Sequence, residues 1–341
     1  QVGFDGSSAM SAAERLQGLY RAGTSDAEVI RQAVSEALQP GDCATTEEAE
    51  ELELETQQHL RRLLFEDPLT RSYPPPRAAQ RRVFKSILAA LDRGCVAEID
   101  DELYAACVEG LAGGAGGEDE CEGFDGYRTL ELPGAGCVVL RVAAQMGGAM
   151  ETGATLWTAG AALLGLTAAG ALDHLVAGHV LELGAGTGAL GLGLARRGAP
   201  VKLVTLTDGQ PAVVDNLRHN AESTAAVAPL PAIVEVQHLE WSSPDLDALQ
   251  AVDVIIGSDL VYDVACLPAL TGLLRRLLQP CGTAAAAVLA ITRRSEETFA
   301  RLLEALEVAS LVWEDVEVPA SAWHEAAAWL PLAHDWRATG G

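Results

Sequence analysis

Residues 178–191 read Gly-His-Val-Leu-Glu-Leu-Gly-Ala-Gly-Thr-Gly-Ala-Leu-Gly, a short apolar run carrying one acid, Glu182, that breaks into the loop Gly184-Ala185-Gly186-Thr187-Gly188. Glycine adopts positive φ and has no Cβ to block a ligand, so a strand can turn sharply there and leave bare backbone for a cofactor. The pattern from Leu190 to Arg197 reads as a helix whose first N–H groups face whatever fills the turn. A second apolar run, 202–208, ends in another acid, Asp208, twenty residues beyond Gly188. In a doubly wound sheet an acid at the tip of the second strand meets the ribose hydroxyls of a nucleoside. The competing role for Asp208 is to cap the helix expected from Pro211 to Asn220.

Two cofactor classes share that geometry. A dinucleotide needs a loop open to pyrophosphate, normally spaced Gly-x-Gly-x-x-Gly. Here the glycines stand at 184, 186 and 188, and Glu182 precedes the first by two. A carboxylate at that point repels a pyrophosphate and suits a cationic aminosulfonium, which favours S-adenosylmethionine over a nicotinamide cofactor.

Further along the chain stand Leu-Thr-Asp (206–208), His-Leu-Glu-Trp (238–241) and Ser-Asp-Leu-Val-Tyr-Asp (258–263), and before them Glu-Thr-Gly-Ala-Thr-Leu-Trp (151–157). Together with the glycine loop, and in this order, these segments resemble the seven-strand protein-lysine methyltransferases. That family carries Asp-x-x-Tyr after its fourth strand, matched here by Asp259 and Tyr262, and a tryptophan before its first core strand, matched by Trp157. The N-terminal part resembles the elongation factor 2 branch of the family: Pro68, Pro74, Pro75, Arg82, Phe84 and the Asp101-Glu102-Leu103-Tyr104 helix follow its pattern. The chain departs at Asp67, where that branch has histidine, and residues 1–66 match poorly.

The resemblance implies S-adenosylmethionine held by Trp157, Glu182, Gly184, Ala185, Gly186, Asp208, Trp241 and Ser258. Asp259 and Tyr262 would face the methyl group and the acceptor lysine, and no metal is required. Each has a plainer alternative: core packing for Trp157 and Trp241, a strand-end cap for Asp259, a packed ring for Tyr262. The Asn/Asp-Pro-Pro-Tyr pattern of nucleic-acid amino methyltransferases is not present, since both prolines are missing.

These residues need strand ends to hold them. Strands are expected near 179–183, 201–207, 232–238, 252–258, 284–291, 311–317 and 326–333, with helices near 158–168, 187–197, 211–221, 265–278 and 294–307. Such alternation predicts an α/β fold, a Rossmann-like, mainly parallel seven-strand sheet with helices on both faces, closed by a terminal antiparallel pair. Ligands bind at the carboxyl ends of such strands, where Gly184, Asp208, Trp241 and Asp259 would converge. Residues 128–132 and 137–143 read as a hairpin. Upstream, 11–39, 45–66, 77–92 and 100–111 read as helices by their apolar spacing, and 71–76 breaks helix with its prolines. The Gly- and acid-rich run 113–126 marks a boundary, giving a helical accessory and substrate-recognition region, 1–126, and a methyltransferase domain, 127–341.

Composition sets outer limits. The 341 residues are 49% hydrophobic, enough for a full core, and carry a net charge of −25. The arginine pairs at 61–62, 81–82, 196–197, 275–276 and 293–294 look isolated, so no basic stripe is expected and nucleic acid is a poor partner. An acidic enzyme steers toward a basic protein surface, and acidity also serves plain solubility. Seven scattered cysteines without Cys-x-x-Cys argue against a disulfide framework or zinc site. Cys266 follows Tyr262 closely enough to lie near the site, with a buried structural thiol as the favoured reading. Residues 152–172 hold no charge, but their Gly, Ala and Thr content and the inner Trp157 argue for a packed helix rather than a membrane span. No targeting segment is legible, and the expectation is a cytoplasmic monomer acting on a protein, elongation factor 2 by resemblance. The alternatives are another protein target, a non-catalytic interaction protein on the same fold, and a nicotinamide enzyme.

Overall fold

The computed structural model describes residues 11–39, 46–94, 96–113, 124–143, 152–246, 249, 251–261, 263–278 and 284–329. The chain divides into two units, Gln1–Thr129 and Leu130–Gly341. Most of the acidic run 113–126, as well as Tyr262 and residues 330–341, lies outside the described residues.

The first unit is helical: α1 (Ala12–Arg21), α2 (Ala27–Ala37), α3 (Thr46–Arg61), a π-helical turn (Arg62–Glu66), α4 (Pro68–Ser72), α5 (Arg77–Asp92) and α6 (Asp101–Ala112). Its starts are written in side chains. Ser11 and Glu14 form a reciprocal capping box, and Asp26, Asp67 and Asp100 each accept backbone N–H bonds from the first turn of the helix that follows, satisfying donors that a helix start leaves open. The apolar faces meet in one core that includes Leu16, Ile30, Leu60, Leu64, Phe84, Ile87 and Leu103. Phe84 anchors it, with Tyr20 and Phe65 rings at 5.7 and 5.0 Å. Asp67, the departure from the resembled pattern, has its own local role. It caps α4 through Thr70 N at 2.6 Å and pairs with the buried Arg21 guanidinium at 2.6 Å.

One expectation is corrected here. Arg77, Arg81 and Lys85 are all exposed and four residues apart on α5, so they share one face. The Arg81-Arg82 pair is therefore part of a short cationic row. Sequence adjacency hid it because the row runs along the helix and not along the chain.

The second unit holds β2 (Gly136–Ala143), α7 (Thr158–Ala168), β3 (Gly178–Leu183), α8 (Ala189–Arg197), β4 (Val201–Asp208), α9 (Pro211–Val227), β5 (Ile233–His238), β6 (Val254–Ser258), α10 (Leu267–Leu278), β7 (Ala286–Ala290), α11 (Glu296–Val308) and α12 (Ala320–Trp329); β1 (Phe124–Leu132) leads into it. Five strands form one sheet in the order β5-β4-β3-β6-β7, with every neighbour parallel. The winding reverses between β3 and β6. The sheet is thus doubly wound, and its crevice lies at the carboxyl ends of those central strands.

β1 and β2 form a separate two-stranded sheet. β2 is bound by side chains of α9: Val139 N donates to Thr224 Oγ1 at 3.0 Å, and Arg141 N donates to Asn220 Oδ1 at 2.8 Å. Asn216, Asn220 and Thr224 recur every four residues, a polar stripe facing a strand backbone. Arg196, 3% exposed, adds a bond from Nε to Cys137 O at 2.9 Å.

Of the two final expected strands, 311–317 is not a strand, and 326–333 is helical over its described residues 326–329, with 330–333 outside the described residues. Residues 311–319 are irregular and largely exposed, with Val312 fully so, and 320–329 form α12. The β-branched and aromatic residues of Leu-Val-Trp-Glu-Asp-Val-Glu-Val suit a strand, yet a strand also needs a ladder partner, which composition does not supply. The alanines of 320–329 favour helix, and Ala326 packs against α7 where Gly165 leaves room: a Cβ on Gly165 would stand 2.9 Å from it. The uncharged run 152–172 contains the 11-residue α7, and no helix among the described residues is long and apolar enough to cross a membrane.

Candidate active site

β3 ends at Leu183 and the chain turns through Gly184, Gly186 and Gly188 at φ of +57°, +55° and +80°. A side chain at 186 would also meet Gly153 O at 3.1 Å. The loop closes on itself and on the neighbouring strand: Gly188 N donates to Ala185 O, and Ala185 N to Thr207 O, both at 2.8 Å. α8 begins at once, with Gly188 as an N-cap that offers no side chain.

Glu182 sits under this loop, 2% exposed, and its Oε2 accepts the Gly191 N–H at 2.9 Å. Burial pushes its carboxyl up to about 8, against the Gly191 bond, which lowers it, and with a smaller push from Asp208. It braces the first turn of α8 from inside. Asp208 accepts from Gln210 N at 3.0 Å and from Gly186 N at 3.3 Å. Gln210, and not Asp208, is the residue at the start of α9. One Asp208 oxygen therefore reaches back to the glycine loop. Burial raises its pKa, opposed by the backbone donors Gln210, Gly186 and Gly209.

Asp259 follows β6 in a left-handed conformation, φ +47°, which strains a residue with a Cβ. Its N–H is held by Ala290 O at 2.9 Å. Its carboxylate accepts from Thr292 N at 2.8 Å, Thr292 Oγ1 at 3.0 Å and Arg294 Nη2 at 3.2 Å. The Arg294 guanidinium lies over the Trp157 ring, 4.9 Å from its centre, and Trp157 Nε1 donates to Thr152 O at 3.0 Å. On the far side Trp241 packs against the core around Leu181, Leu239 and Ile255, while its buried Nε1 has no acceptor among the described residues. Gly160 lets α7 approach Ser258, whose Oγ would be 3.0 Å from a Cβ there.

These groups surround one cavity of about 370 Å³, within the usual range for small-molecule sites. Its lining includes Trp157, Glu182, Gly184, Ala185, Gly186, Asp208, Trp241, Ser258 and Asp259. Of the residues singled out from the sequence, Tyr262 alone lies outside the described set. Cys266, expected as a buried thiol, is half-buried and lines the same cavity. Arg294 and Glu240 also line it and escaped the sequence reading. Arg294 carried the only available signal, as half of an arginine pair just past a strand.

The donor set fits a nucleoside with a cationic tail. Glu182, Asp208, Glu240 and Asp259 supply acids, the glycine loop supplies bare backbone, and Trp241 offers a ring and an unused donor. No group of three or more His, Cys, Asp or Glu among the described residues is placed to hold a metal ion.

Comparison with known proteins matches residues 133–306 to a family model described as lysine methyltransferase. Among individual relatives, the human protein-lysine N-methyltransferase EEF2KMT is 29% identical over 257 residues, covering 70% of this chain and 73% of that protein. The Mus musculus protein of the same name is 28% identical, covering 71% and 72%. Protein N-lysine methyltransferase METTL21A of Danio rerio is 36% identical over 128 residues, covering 36% of this chain and 55% of that protein.

Proposed function

The chain belongs to the lysine methyltransferase family, and from that premise we propose that its cavity binds S-adenosylmethionine and that it methylates a lysine of elongation factor 2. The observation that carries the site is the convergence of Trp157, Glu182, the 184–186 backbone, Asp208, Trp241, Ser258 and Asp259 on one cavity. The target rests on the two EEF2KMT relatives, whose likeness spans about seven-tenths of the chain.

Asp208 binds the ribose hydroxyls while its other contact steadies Gly186. Trp241 covers the adenine, and its free Nε1 donates to the ligand. Glu182 shapes the loop through Gly191, a holding role that its burial suits better than direct contact with the sulfonium. Ser258 and Trp157 border the remaining wall. Asp259 and Tyr262 stand on the acceptor side, Tyr262 by its motif position.

When bound, S-adenosylmethionine supplies a methyl group on a sulfonium, and the amine lone pair forms the new C–N bond as the C–S pair returns to sulfur. The residues of the chain have to present that amine in line, unprotonated and out of water. A free lysine has a pKa of about 10.4, so the site must favour the neutral form by desolvation and nearby positive charge. Residues 1–126 serve recognition of the folded acceptor, and the protein acts as a monomer in the cytoplasm.

The test is calorimetric titration with S-adenosylmethionine and transfer of labelled methyl to purified elongation factor 2. Micromolar binding abolished by Asp208→Ala, with label on the factor lost in Asp259→Ala, supports the reading. Labelling of other proteins but not of elongation factor 2 would move the target while keeping the chemistry. No binding at all would overturn the cofactor assignment.

A further inference from the structure

Three separate segments meet at one side of the cavity: the stretch before α7 with Trp157, the end of β6 with Asp259, and the end of β7 with Thr292 and Arg294. The Arg294 side chain touches the other two. A tight turn, in which Arg294 N donates to Thr292 O at 2.8 Å, aims its side chain back over the cavity. The guanidinium then contacts Asp259 Oδ2 at 3.2 Å and the Trp157 ring at 4.9 Å. Its neighbour Arg293 goes elsewhere, onto the Phe299 ring at 4.0 Å. The adjacent arginines thus divide, one onto α11 and one onto the cavity.

An ordinary surface ion pair does not account for this. The Asp259 side chain is 10% exposed and Arg294's is 51%, so a buried carboxylate is tied to a cation at the cavity's wet edge. Asp259 also holds a strained backbone, and such strain persists where the surroundings over-determine it. A cation on the face of tryptophan within about 6 Å is attracted by the ring, so Arg294 fixes the plane of Trp157 and the direction of Asp259 together.

Resting on the methyl-transfer reading above, we propose that Arg294 is the positioning residue of the acceptor side, latching Asp259 and Trp157 and setting a fixed positive charge where the lysine amine arrives. The charge has two consequences. It occupies Asp259, so that carboxylate does not hold the incoming amine as an ammonium ion. It also disfavours a second cation nearby, so the amine sheds its proton to water before it approaches. The other charged or titratable groups lining the cavity are Glu182 from β3, Asp208 from β4, Glu240 after β5 and Cys266 before α10. Arg294 is the only cation among these lining groups, so its removal leaves acids alone to act on the amine.

The test compares wild type with Arg294→Met and Arg294→Lys. In the free protein, the emission of Trp157, isolated by subtracting Trp157→Phe, is expected to change in Arg294→Met and to change less in Arg294→Lys. In turnover, Arg294→Met is expected to lose about tenfold in kcat with the protein acceptor near neutral pH and to regain most of it as pH rises. The ascending limb of its kcat profile should move up by about one unit, while the Kd for S-adenosylmethionine stays within about threefold. Arg294→Lys should keep the wild-type pH profile. Unchanged Trp157 emission in Arg294→Met would overturn the latch even if no acceptor were methylated. A pH profile identical to wild type in Arg294→Met would overturn the electrostatic part. Failure of the wild type to bind S-adenosylmethionine would overturn the underlying cavity reading instead, and the proposal with it.

Discussion

Replacing Glu182 by glutamine should reverse the usual effect of removing a buried charge-bearing group, and the size of the reversal follows from its surroundings. The side chain is 2% exposed beneath the glycine loop, and burial lifts its pKa from 4.5 to about 8. In the unfolded chain the carboxyl loses its proton near 4.5, whereas in the folded chain it keeps the proton until about pH 8. Over that window the folded state binds one proton more, so wild-type stability falls as pH rises. The slope from this one group is about 1.4 kcal/mol per pH unit, or roughly 3–5 kcal/mol across the window.

Glu182→Gln cannot titrate and still offers an oxygen to Gly191 N. The difference between variant and wild type should therefore be small at pH 5 and grow to a gain of several kcal/mol at pH 8. Urea unfolding of both proteins at pH 5, 6, 7 and 8 measures this. Groups that do not interact with Glu182 cancel in the difference. A difference flat with pH would refute the argument, since it would mean that Glu182 ionises at its ordinary value inside the fold. A variant less stable than wild type at every pH would mean that the charged form is the one the loop holds.

Three further outcomes follow from packing and charge. Gly191→Ala places a Cβ against Leu206 and the Glu182 carboxyl, so these side chains must shift; overpacking of this kind costs about 1–3 kcal/mol and should lower the urea midpoint and weaken S-adenosylmethionine binding together. Phe84→Ala removes the ring that Tyr20 and Phe65 pack on and should cost about 3–5 kcal/mol by urea unfolding, with the Kd for S-adenosylmethionine unchanged if the helical unit takes no part in the cavity. Arg81→Glu converts two like-charge neighbours on α5, Arg77 and Lys85, into opposite-charge ones. It should raise stability by about 1 kcal/mol at low salt and lose that gain at 1 M salt, as followed by thermal unfolding.

The sequence shows some levels of this structure far better than others. The parallel strands were legible because each is a short apolar run between turn signals, and the runs at 179–183 and 201–207 differ from β3 and β4 by a single residue at an end. The segment 311–317 shows the limit of the same rule. Its valines and tryptophan suit a strand, but nothing local tells whether an edge is available to receive it. Composition was the better guide just beyond, where the alanines of 320–329 form α12. The hairpin at 128–143 was legible as a pair of strands. Its attachment was not, because that depends on Asn216, Asn220 and Thr224 meeting a strand some 80 residues away. In the site, identities were legible and orientations were not. Asp208 and Asp259 both read as strand-end acids, and no pattern says that one reaches back to Gly186 or that the other is tied to Arg294. Arg294 was missed for the same reason. Its role exists only through contacts with residues 35 and 137 positions away.

The three acids at the ends of the central strands do one structural job in different ways, and that shared job explains why they surround a cavity at all. β4, β3 and β6 are adjacent in the sheet. Glu182 on β3 grips Gly191 at the head of α8, Asp208 on β4 grips Gly186 in the loop, and Asp259 after β6 grips Thr292 and Arg294 beyond β7. Each carboxyl thus ties its own strand end to a separate segment. Glu182 does this as a neutral carboxyl near neutral pH, while Asp208, bonded to the backbone N–H groups of Gly186 and Gln210, directs negative potential into the crevice that suits a cationic ligand better than an anionic one. The same arrangement that orders the loops therefore selects the sign of the ligand, and Arg294 is placed to withhold that attraction from the acceptor amine alone.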